Sequence, residues 1–300
     1  MGRYAMTGGA TGIGAAIRTG LRAAGHEVIV VDIKDADIVA NLGTADGRRA
    51  ALEGIRARAA DGLDGFVPCA GANGNIPDRA LVPSVNYFGA VELVAGLRDL
   101  LAARKGSVVL VSSNSAPHPT SDDYVQALLA GDEARARELA VAMDGHPVYS
   151  GSKQALARWM RHQVRDYAQA GIRLNAIAPG YTQTPMTAAA EADPELGDAV
   201  RRFLAATPVG SAGQPEDQAE AALAEARWQC STSRGTRRVG PSPRLRRPGW
   251  ARQERTRRKP TCRMQKICRS RQSPTLACRR RRHQPPCCCN CRWMCAAPRS

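Results

Sequence analysis

A glycine-rich turn near the start of the chain restricts its fold more than any other feature. Gly8–Gly14 follows the β-prone run Arg3–Thr7, and Ile13, Ile17 and Leu21 then recur every four positions, as in a helix. Glycines let the backbone approach a phosphate closely, and a helix N-terminus offers that phosphate free N–H groups. The pattern predicts a strand–turn–helix unit that binds a dinucleotide. The alternative is a plain glycine turn.

Strands and helices alternate along the chain up to about residue 220. After Arg3–Thr7, the predicted strands are Val28–Asp32, Ile38–Ala40, Gly65–Val67, Ser107–Val111 and Ile172–Ala178. The predicted helices include 45–60, Ser84–Arg104 and 149–170. Continuous β-branched runs, rather than alternating ones, indicate strands covered on both faces. The predicted fold class is therefore α/β, a Rossmann-type doubly wound parallel sheet with helices on both faces.

An acidic residue at the end of the second predicted strand indicates which dinucleotide is bound. Asp32 can accept hydrogen bonds from both hydroxyls of an adenine ribose, and its charge repels a 2′-phosphate. NAD is therefore predicted over NADP, although Lys34 weakens the preference. A surface aspartate is the alternative interpretation. Asn41 and Leu42, after the third strand, are predicted to flank the adenine ring.

A tyrosine and a lysine four positions apart form the predicted catalytic pair. Tyr149 and Lys153 share one helix face, where the ammonium stabilises the phenolate form of the tyrosine and hydrogen-bonds the nicotinamide ribose. Ser112 and Ser113 close a strand at the carboxyl edge of the sheet, where ligands bind in such folds. A serine hydroxyl there holds a carbonyl oxygen beside the tyrosine. Taken alone, such a Tyr–Lys pair is also typical of a solvated helix face.

These motifs together resemble the short-chain dehydrogenase/reductase family. The resemblance covers about residues 3–220 and implies an NAD(P)-dependent alcohol dehydrogenase or carbonyl reductase. The matching residues, in the family's order, are the Thr7–Gly14 turn, Asp32, Cys69-Ala70-Gly71, Asn86, Ser113, Tyr149, Lys153, Pro179-Gly180 and Thr184.

The resemblance also implies a role for each matching residue. Ser113 would orient the substrate oxygen and Tyr149 would exchange its proton, so both would contact the substrate. Lys153 would tune Tyr149 and bind the ribose, and Asn86, the fourth catalytic member, would help to hold a proton-relay water. The implied cofactor-binding residues are Gly8, Thr11, Gly12, Ile13, Gly14, Asp32, Asn41, Leu42, Ala70, Gly71, Tyr149, Lys153 and Thr184, the last beside the nicotinamide carboxamide. No metal is implied.

Two departures from the family pattern indicate a particular branch. Pro68-Cys69 replaces the usual pair of asparagines, and Cys69 is interpreted as a small packing residue. The 35 residues Asn114–Val148 separate the serine from the tyrosine where the family commonly has about a dozen. Both departures, with Asp37–Arg48 and Asp61–Gly65, resemble the bacterial 3α-hydroxysteroid dehydrogenase/carbonyl reductase branch. That resemblance implies a hydroxysteroid or another apolar ketone or alcohol as substrate.

The insert itself contains two helix-like patterns, at 124–129 and 134–143. It is expected either to cover the site or to block a helix-packing interface used for assembly. Deletion of 117–144 is expected to change the substrate range or the oligomeric state, depending on which role is right.

The composition changes abruptly near residue 228. Residues 1–227 contain 22 lysines and arginines against 26 acidic residues, a net charge of −4, and a single cysteine, Cys69. Residues 228–300 contain 21 lysines and arginines, one acid and nine cysteines, a net charge of +20. Four residues of the Val/Ile/Leu/Phe set in that tail are too few to offset the entropy of ordering it. The prediction is one Rossmann-type domain, 1–227, and an unstructured basic tail, 228–300.

Three interpretations of the tail stay open. A shift of reading frame near 221–228 is favoured, since GC-rich DNA read out of frame yields such Arg/Pro/Ser/Cys mixtures. A nucleic-acid-binding tail is the second, making the whole chain a nonenzymatic basic protein on a degenerate dehydrogenase scaffold. Few aromatic residues interrupt the charges, which speaks against base stacking. A zinc-binding tail is the third, although the cysteines crowd without paired spacing.

The sequence also excludes several classes of protein. It has no run of 18 apolar residues and no signal-peptide core, so no membrane partner is expected. One cysteine in 227 residues fits a reducing cytoplasm. The expected partner is therefore a small-molecule substrate rather than nucleic acid.

The end of the family resemblance has a structural consequence. Family members add a last parallel strand after the helix that begins near Pro215, and no such strand follows here. The strand Ile172–Ala178 is then a sheet edge with unpaired backbone groups. The resemblance implies a homo-oligomer, but assembly through this C-terminal region is expected to fail.

Overall fold

The computed structural model describes residues 1–192, 196–208 and 210–227. All of them lie in the first of the two units, Met1–Arg237 and Arg238–Ser300, into which the chain divides. The basic tail 228–300, with its predicted lack of structure and its nine cysteines, lies outside the described residues.

Within the described ranges, six parallel strands form one sheet in the order β3-β2-β1-β4-β5-β6. The order reverses between β1 and β4, so a crevice opens at the carboxyl ends of these two strands, where doubly wound sheets bind ligands. This arrangement confirms the predicted fold class. The strands are β1 Arg3–Thr7, β2 Glu27–Asp32, β3 Ile38–Val39, β4 Gly65–Pro68, β5 Ser107–Val111 and β6 Arg173–Ile177.

Helices cover both faces of the sheet. One face packs on α1 and α11 through residues such as Ile17, Leu21 and Ala222, and the other on α2, α4 and α8 through residues such as Leu93 and Leu156. In the described residues the helices are α1 Gly12–Ala23, α2 Ala45–Arg58, α3 Leu81–Pro83, α4 Gly89–Gly96, α5 Arg98–Ala103, α6 Asp122–Ala130, α7 Glu133–Ala142, α8 Gly145–Gln169, α9 Pro185–Ala192, α10 Leu196–Ala206 and α11 Pro215–Arg227.

The long helix predicted over Ser84–Arg104 is wrong as a single element. A π-helix spans Ser84–Phe88 between α3 and α4, and Leu97, with φ −106° and ψ 9°, leaves the helical region and separates α4 from α5. A π-helical turn contains an extra residue, and such turns are frequent at functional sites. Here the turn contains Asn86.

β6 is one of the two edge strands of the described sheet. β6 pairs with β5 from Arg173 to Ile177 and has no second strand partner among the described residues. No helix in the described ranges is long and apolar enough to cross a membrane.

Candidate active site

The glycine turn is held tightly between β1, β4 and α1. Gly8 has a φ of +72°, and a Cβ atom there would lie 2.6 Å from the Cα atom of Ala70. A Cβ on Gly14 would collide with the carbonyl oxygen of Gly8. The side chain of Thr11 makes no capping hydrogen bond at the start of α1. The geometry therefore requires glycine at two positions and leaves the helix N-terminus without a side-chain cap.

Asp32 ends β2 beside this turn. Its Oδ2 accepts a hydrogen bond from the backbone N–H of Ala10 at 2.9 Å, and its Oδ1 accepts one from Ile33 at 2.7 Å. The carboxylate therefore braces the glycine turn, and its contact with an adenine ribose stays a prediction.

The residues predicted to flank the adenine ring divide between core and surface. Leu42 is only 5% exposed and belongs to the hydrophobic core, whereas Asn41 is exposed. The Asn41 Oδ1 accepts a hydrogen bond from the backbone N–H of Gly43 at 2.9 Å. The side chain of Leu42 thus packs the protein interior, and the adenine contact of this pair stays a prediction.

The segment after β4 lies against the catalytic candidates. Thr7 Oγ1 accepts a hydrogen bond from the N–H of Ala70 at 3.1 Å, which ties this segment to β1. A Cβ on Gly71 would lie 3.4 Å from Asn86 Oδ1 and 3.7 Å from Lys153 Nζ. Burial raises the pKa of Cys69 to about 11, with the Lys153 charge opposing that shift. A thiol that stays protonated supports the interpretation of Cys69 as a packing residue.

The predicted catalytic pair lies on the first turns of α8. Lys153 is 5% exposed, and its Nζ donates a hydrogen bond to the Val111 carbonyl at 2.9 Å. The same Nζ lies 5.8 Å from the centre of the Tyr149 ring. An ammonium has three N–H donors, so this bond leaves two for a ligand. The Tyr149 hydroxyl has no hydrogen-bond partner among the described residues and is available to a substrate.

The two serines after β5 have different surroundings. Ser112 Oγ donates to the Lys153 carbonyl at 3.2 Å, so this side chain fixes α8 to the end of the strand. Ser113 Oγ accepts the N–H of Ser115 at 3.1 Å and lies on the wall of the same cavity as Tyr149. The structure therefore brings Ser113, rather than Ser112, together with the tyrosine.

Asn86 joins three parts of the site. Its Nδ2 donates to the Ala72 carbonyl at 3.0 Å and to Ser152 Oγ at 3.1 Å, and its Oδ1 accepts the Ala72 N–H at 2.7 Å. The side chain is thus occupied with holding the 70–72 segment to α8. A role for Asn86 in holding a relay water stays a prediction.

Thr184 lies directly before α9, opposite the glycine turn. Its side chain is 3.1 Å from the position of a Cβ on Gly12, and its Oγ1 accepts the N–H of Thr187 at 3.3 Å. Pro185 occupies the first helical position, which suits a residue without an N–H. Thr184 therefore bridges the predicted pyrophosphate turn and the helices over the substrate side.

A cavity of about 350 Å³ contains the predicted substrate contacts. Two histidines and three asparagines also line it, and no sequence motif assigned them a role. The histidines lie five residues after Ser113 and three before Tyr149, a proximity that offers a signal for finding them. The lining residues are Asn73, Gly74, Asn75, Ser113, Asn114, Ser115, His118, His146, Tyr149, Gly180, Tyr181, Met186, Thr187, Ala190, Ala199, Val200 and Phe203.

The two insert helices pack on other helices and not on this cavity. α6 and α7 contact each other and reach α8, α3 and the π-helix. Tyr124 lies under α8, where a Cβ on Gly151 would be 2.8 Å from its ring. No residue of α6 or α7 is among the lining residues described above. Other residues of the insert, including His118 and His146, do line the cavity. Both expected roles of the insert therefore stay predictions.

The doubly wound sheet carries a glycine cradle, and one cavity contains both a serine and a tyrosine that is backed by a lysine. Together these features define a nicotinamide-dependent type of oxidoreductase. The chain belongs to the short-chain dehydrogenase/reductase family, in the class of alcohol dehydrogenases and carbonyl reductases. A family model described as enoyl-(acyl carrier protein) reductase matches residues 135–232.

Individual relatives place the chain within this family. It is 41% identical over 220 residues to the 3-alpha-hydroxysteroid dehydrogenase/carbonyl reductase of Comamonas testosteroni, covering 71% of this chain and 85% of that protein. It is 32% identical over 241 residues to the cis-4-hydroxycyclohexanecarboxylate dehydrogenase of Sinomonas cyclohexanicum, covering 72% and 85%.

A solved structure is similarly close. The 3-alpha-hydroxysteroid dehydrogenase from Pseudomonas sp. B-0831, complexed with NADH, has 42% identity and a TM-score of 0.71, covering 74% of this chain and 88% of that chain. These relatives are dehydrogenases and reductases, so the alternative of a nonenzymatic nucleic-acid-binding protein gains no support from them.

Proposed function

We propose that the protein interconverts a secondary alcohol and a ketone on a hydroxysteroid or another largely apolar substrate, with NAD as cofactor. The observation that carries this proposal is the shared cavity: Ser113 and Tyr149 line one wall, and Lys153 Nζ lies 5.8 Å behind the tyrosine ring. Met186, Val200 and Phe203 contribute apolar side chains to the same cavity. Relatives named for hydroxysteroids support the substrate class.

The residues present fit a nicotinamide dinucleotide. Gly8 and Gly14 allow no side chain, so the backbone of the turn is exposed to a phosphate group, and Asp32 stands beside it. Lys153 Nζ has two donors left after its bond to Val111, and it lies 3.7 Å from the position of a Cβ on Gly71. When bound, the nicotinamide supplies the acceptor or donor of the hydride.

The chain's own groups handle the proton and the substrate oxygen. Ser113 Oγ, oriented by the N–H of Ser115, donates a hydrogen bond to the substrate oxygen. Tyr149 takes the hydroxyl proton during oxidation and returns it during reduction. The Lys153 ammonium stabilises the phenolate form electrostatically and is itself held by the Val111 carbonyl. Asn86 positions this arrangement by fixing the 70–72 segment to α8.

Replacement of the tyrosine tests the proposal. We expect Tyr149→Phe to lower kcat/KM for oxidation of androsterone with NAD by at least about 100-fold, because general acid–base catalysis contributes roughly that much. The readout is NADH absorbance with the full-length chain. Tyr167→Phe, on the same helix but buried against Trp159 and Arg98, is the matched control and should retain activity. Equal activity of Tyr149→Phe and the parent would refute the proposed mechanism.

Cofactor preference is tested at Asp32. Asp32→Asn removes the charge but keeps an oxygen for the Ala10 N–H, so the glycine turn should persist. We expect the ratio of kcat/KM for NAD to that for NADP to fall about ten-fold, equivalent to about 1.4 kcal/mol of discrimination. Lys34→Gln is the companion variant, and its ratio should rise. An unchanged ratio in Asp32→Asn would show that the carboxylate only braces the turn.

A further inference from the structure

The cavity has two chemically different walls. Helices α9 and α10 contribute mainly apolar side chains, and His118, His146, Asn73 and Asn75 form a polar wall. None of the described lining residues is Asp, Glu, Lys or Arg. The two histidines are therefore the groups of the described wall that can carry a positive charge. An entirely apolar substrate would leave this polar wall unused.

The histidines form a close pair in the cavity that also contains the catalytic tyrosine. His118 Nδ1 lies 3.0 Å from His146 Nε2, and the ring centres are 5.2 Å apart. The backbone N–H of His118 donates to the Ser115 carbonyl at 2.9 Å, which holds the His118 loop beside the catalytic serine. His146 precedes Tyr149 by three residues on α8, a helical rise of about 4.5 Å. Both side chains line the same cavity, so a substrate that reaches Tyr149 also lies near His146.

The pair presents a specific hydrogen-bonding pattern to the cavity. One ring nitrogen of each histidine is used in the mutual contact, and His118 Nε2 and His146 Nδ1 have no partner among the described residues. A neutral pair then offers one donor and one acceptor, whichever tautomers are present. A pair with one added proton offers two donors and a positive charge. Two N–H donors and a positive charge are what a carboxylate recognises.

We propose that His118 and His146 bind a carboxylate on the substrate, so that preferred substrates are alicyclic ketones or alcohols that also carry a carboxylate. This proposal rests on the proposed function, because it assigns the other end of the same substrate. A metal ion is the weaker interpretation of the pair, since no group of three or more His, Cys, Asp or Glu side chains with metal-binding geometry occurs in the described residues.

The charge of the pair gives the proposal a direction with pH. Burial, followed by repulsion from His118, lowers the pKa of His146, so the pair resists taking up a proton on its own. A bound carboxylate favours that proton. The other titratable groups at the cavity are Tyr149, backed by Lys153, and Tyr181, which is hydrogen-bonded to Glu191. No third histidine lines the cavity among the described residues. Affinity for an acid substrate is therefore expected to weaken as pH rises through the pKa of the pair.

Matched substrates separate this effect from general binding. The probes are 4-oxocyclohexanecarboxylate and its uncharged methyl ester, reduced by the full-length chain with NADH. Hydrogen bonds to a charged group make a contribution that corresponds to about ten-fold in affinity. We expect KM for the acid to lie about ten-fold below KM for the ester at pH 6, and this advantage to shrink at pH 8. The ester should show no such trend.

Four variants assign the effect to the pair. His118→Phe and His146→Phe should each raise KM for the acid about ten-fold, and leave KM for the ester and kcat for both probes within about two-fold. His118→Gln, which keeps an N–H near the position of Nε2, should restore part of the advantage. His162→Phe makes the same change at an exposed position of α8 outside the cavity and should behave as the parent does.

A binding measurement keeps the proposal independent of turnover. Cyclohexanecarboxylate has no carbonyl to reduce, so its thermal-shift titration in the presence of NADH reports the carboxylate site alone. Stabilisation of the parent and its loss in both His→Phe variants would support the pair even if no ketone were reduced, which would count against the proposed function only. Equal stabilisation of parent and variants, or equal KM changes for acid and ester, would overturn the assignment.

Discussion

Tyr124 has a polar atom that the protein interior does not satisfy. Its side chain is fully buried, and its hydroxyl has no hydrogen-bond partner among the described residues. Burial also raises its pKa, so the group stays a neutral phenol. The ring is nevertheless needed, because it packs under Gly151 on the helix that carries the catalytic pair. The hydroxyl is therefore a cost that the aromatic packing offsets.

Removal of this hydroxyl is expected to stabilise the protein. We expect Tyr124→Phe to raise the free energy of unfolding by about 1 kcal/mol, because an unsatisfied buried polar group costs about that much. Tyr181→Phe is the contrasting control: it loses hydrogen bonds to Thr187 and Glu191 and should lower stability by about 1 kcal/mol. Urea unfolding measures both. A destabilised Tyr124→Phe would indicate that a water satisfies the hydroxyl.

At the scale of elements, an ion pair fastens the insert to the Rossmann core. Arg48 of α2 is 3% exposed and donates to Glu133 of α7 at 2.6 Å and to Glu92 of α4 at 2.7 Å. Burial opposes ionisation of Glu133, but its hydrogen bonds with Arg48 and Ser84 outweigh that effect and lower its pKa. The insert thus contributes one of the two carboxylates that keep a buried guanidinium paired.

Loss of this carboxylate is expected to loosen the insert. Glu133→Gln should lower the free energy of unfolding by about 2 kcal/mol, because it leaves a buried charge partly unpaired. Glu138→Gln, which breaks an exposed pair with Arg135 on the same helix, should change it by less than about 0.5 kcal/mol. Similar values for both variants, measured in urea, would show that the buried pair does not anchor the insert.

The same contact has a defined pH dependence. The pKa of Glu133 is lower in the folded protein, so its stabilisation is present above the ordinary glutamate pKa and is lost as pH falls through the folded value. The stability difference between the parent and Glu133→Gln should therefore be full at neutral pH and shrink in acid. A difference that is constant from pH 7 to pH 3 would contradict this linkage.

For the whole molecule, the open side of β6 is the feature with the widest consequence. Within the described residues β5 is its strand partner, and α11 packs on the sheet through Ala219, Ala222 and Ala226. An unpaired edge strand is a template for association with other chains. The resemblance of the sequence to its family ends near residue 220, within α11, and the family model's match ends at residue 232.

We therefore expect the full-length chain to associate into aggregates and to turn over slowly. Size-exclusion chromatography with light scattering, together with turnover per protomer, measures both properties. A monodisperse preparation with turnover equal to that of the relatives would show that residues after 227 complete the sheet. Sequencing of the coding DNA across codons 215–235 is the companion measurement. An apolar strand in another frame would identify the basic tail as an out-of-frame product.

The sequence was sufficient to predict the sheet and to name candidate catalytic side chains. Runs such as Val28–Val31 are apolar along their whole length, which only strands covered on both faces tolerate, and the glycine turn has few alternative conformations. It was insufficient for the helix after β4. The π-turn at Ser84–Phe88 and the break at Leu97 leave the apolar pattern unchanged, because they depend on packing against neighbouring elements.

By itself, the sequence determined the fold class, the family and the candidate residues, because local periodicity and short motifs record which groups a strand, turn or helix presents. Only the tertiary structure decided which groups share a cavity. Leu42 lies in the core, the insert helices pack on α8 and the π-helix, and His118 contacts His146, which lies 28 positions later in the chain. Such encounters follow from how elements pack in space, and sequence spacing does not record them.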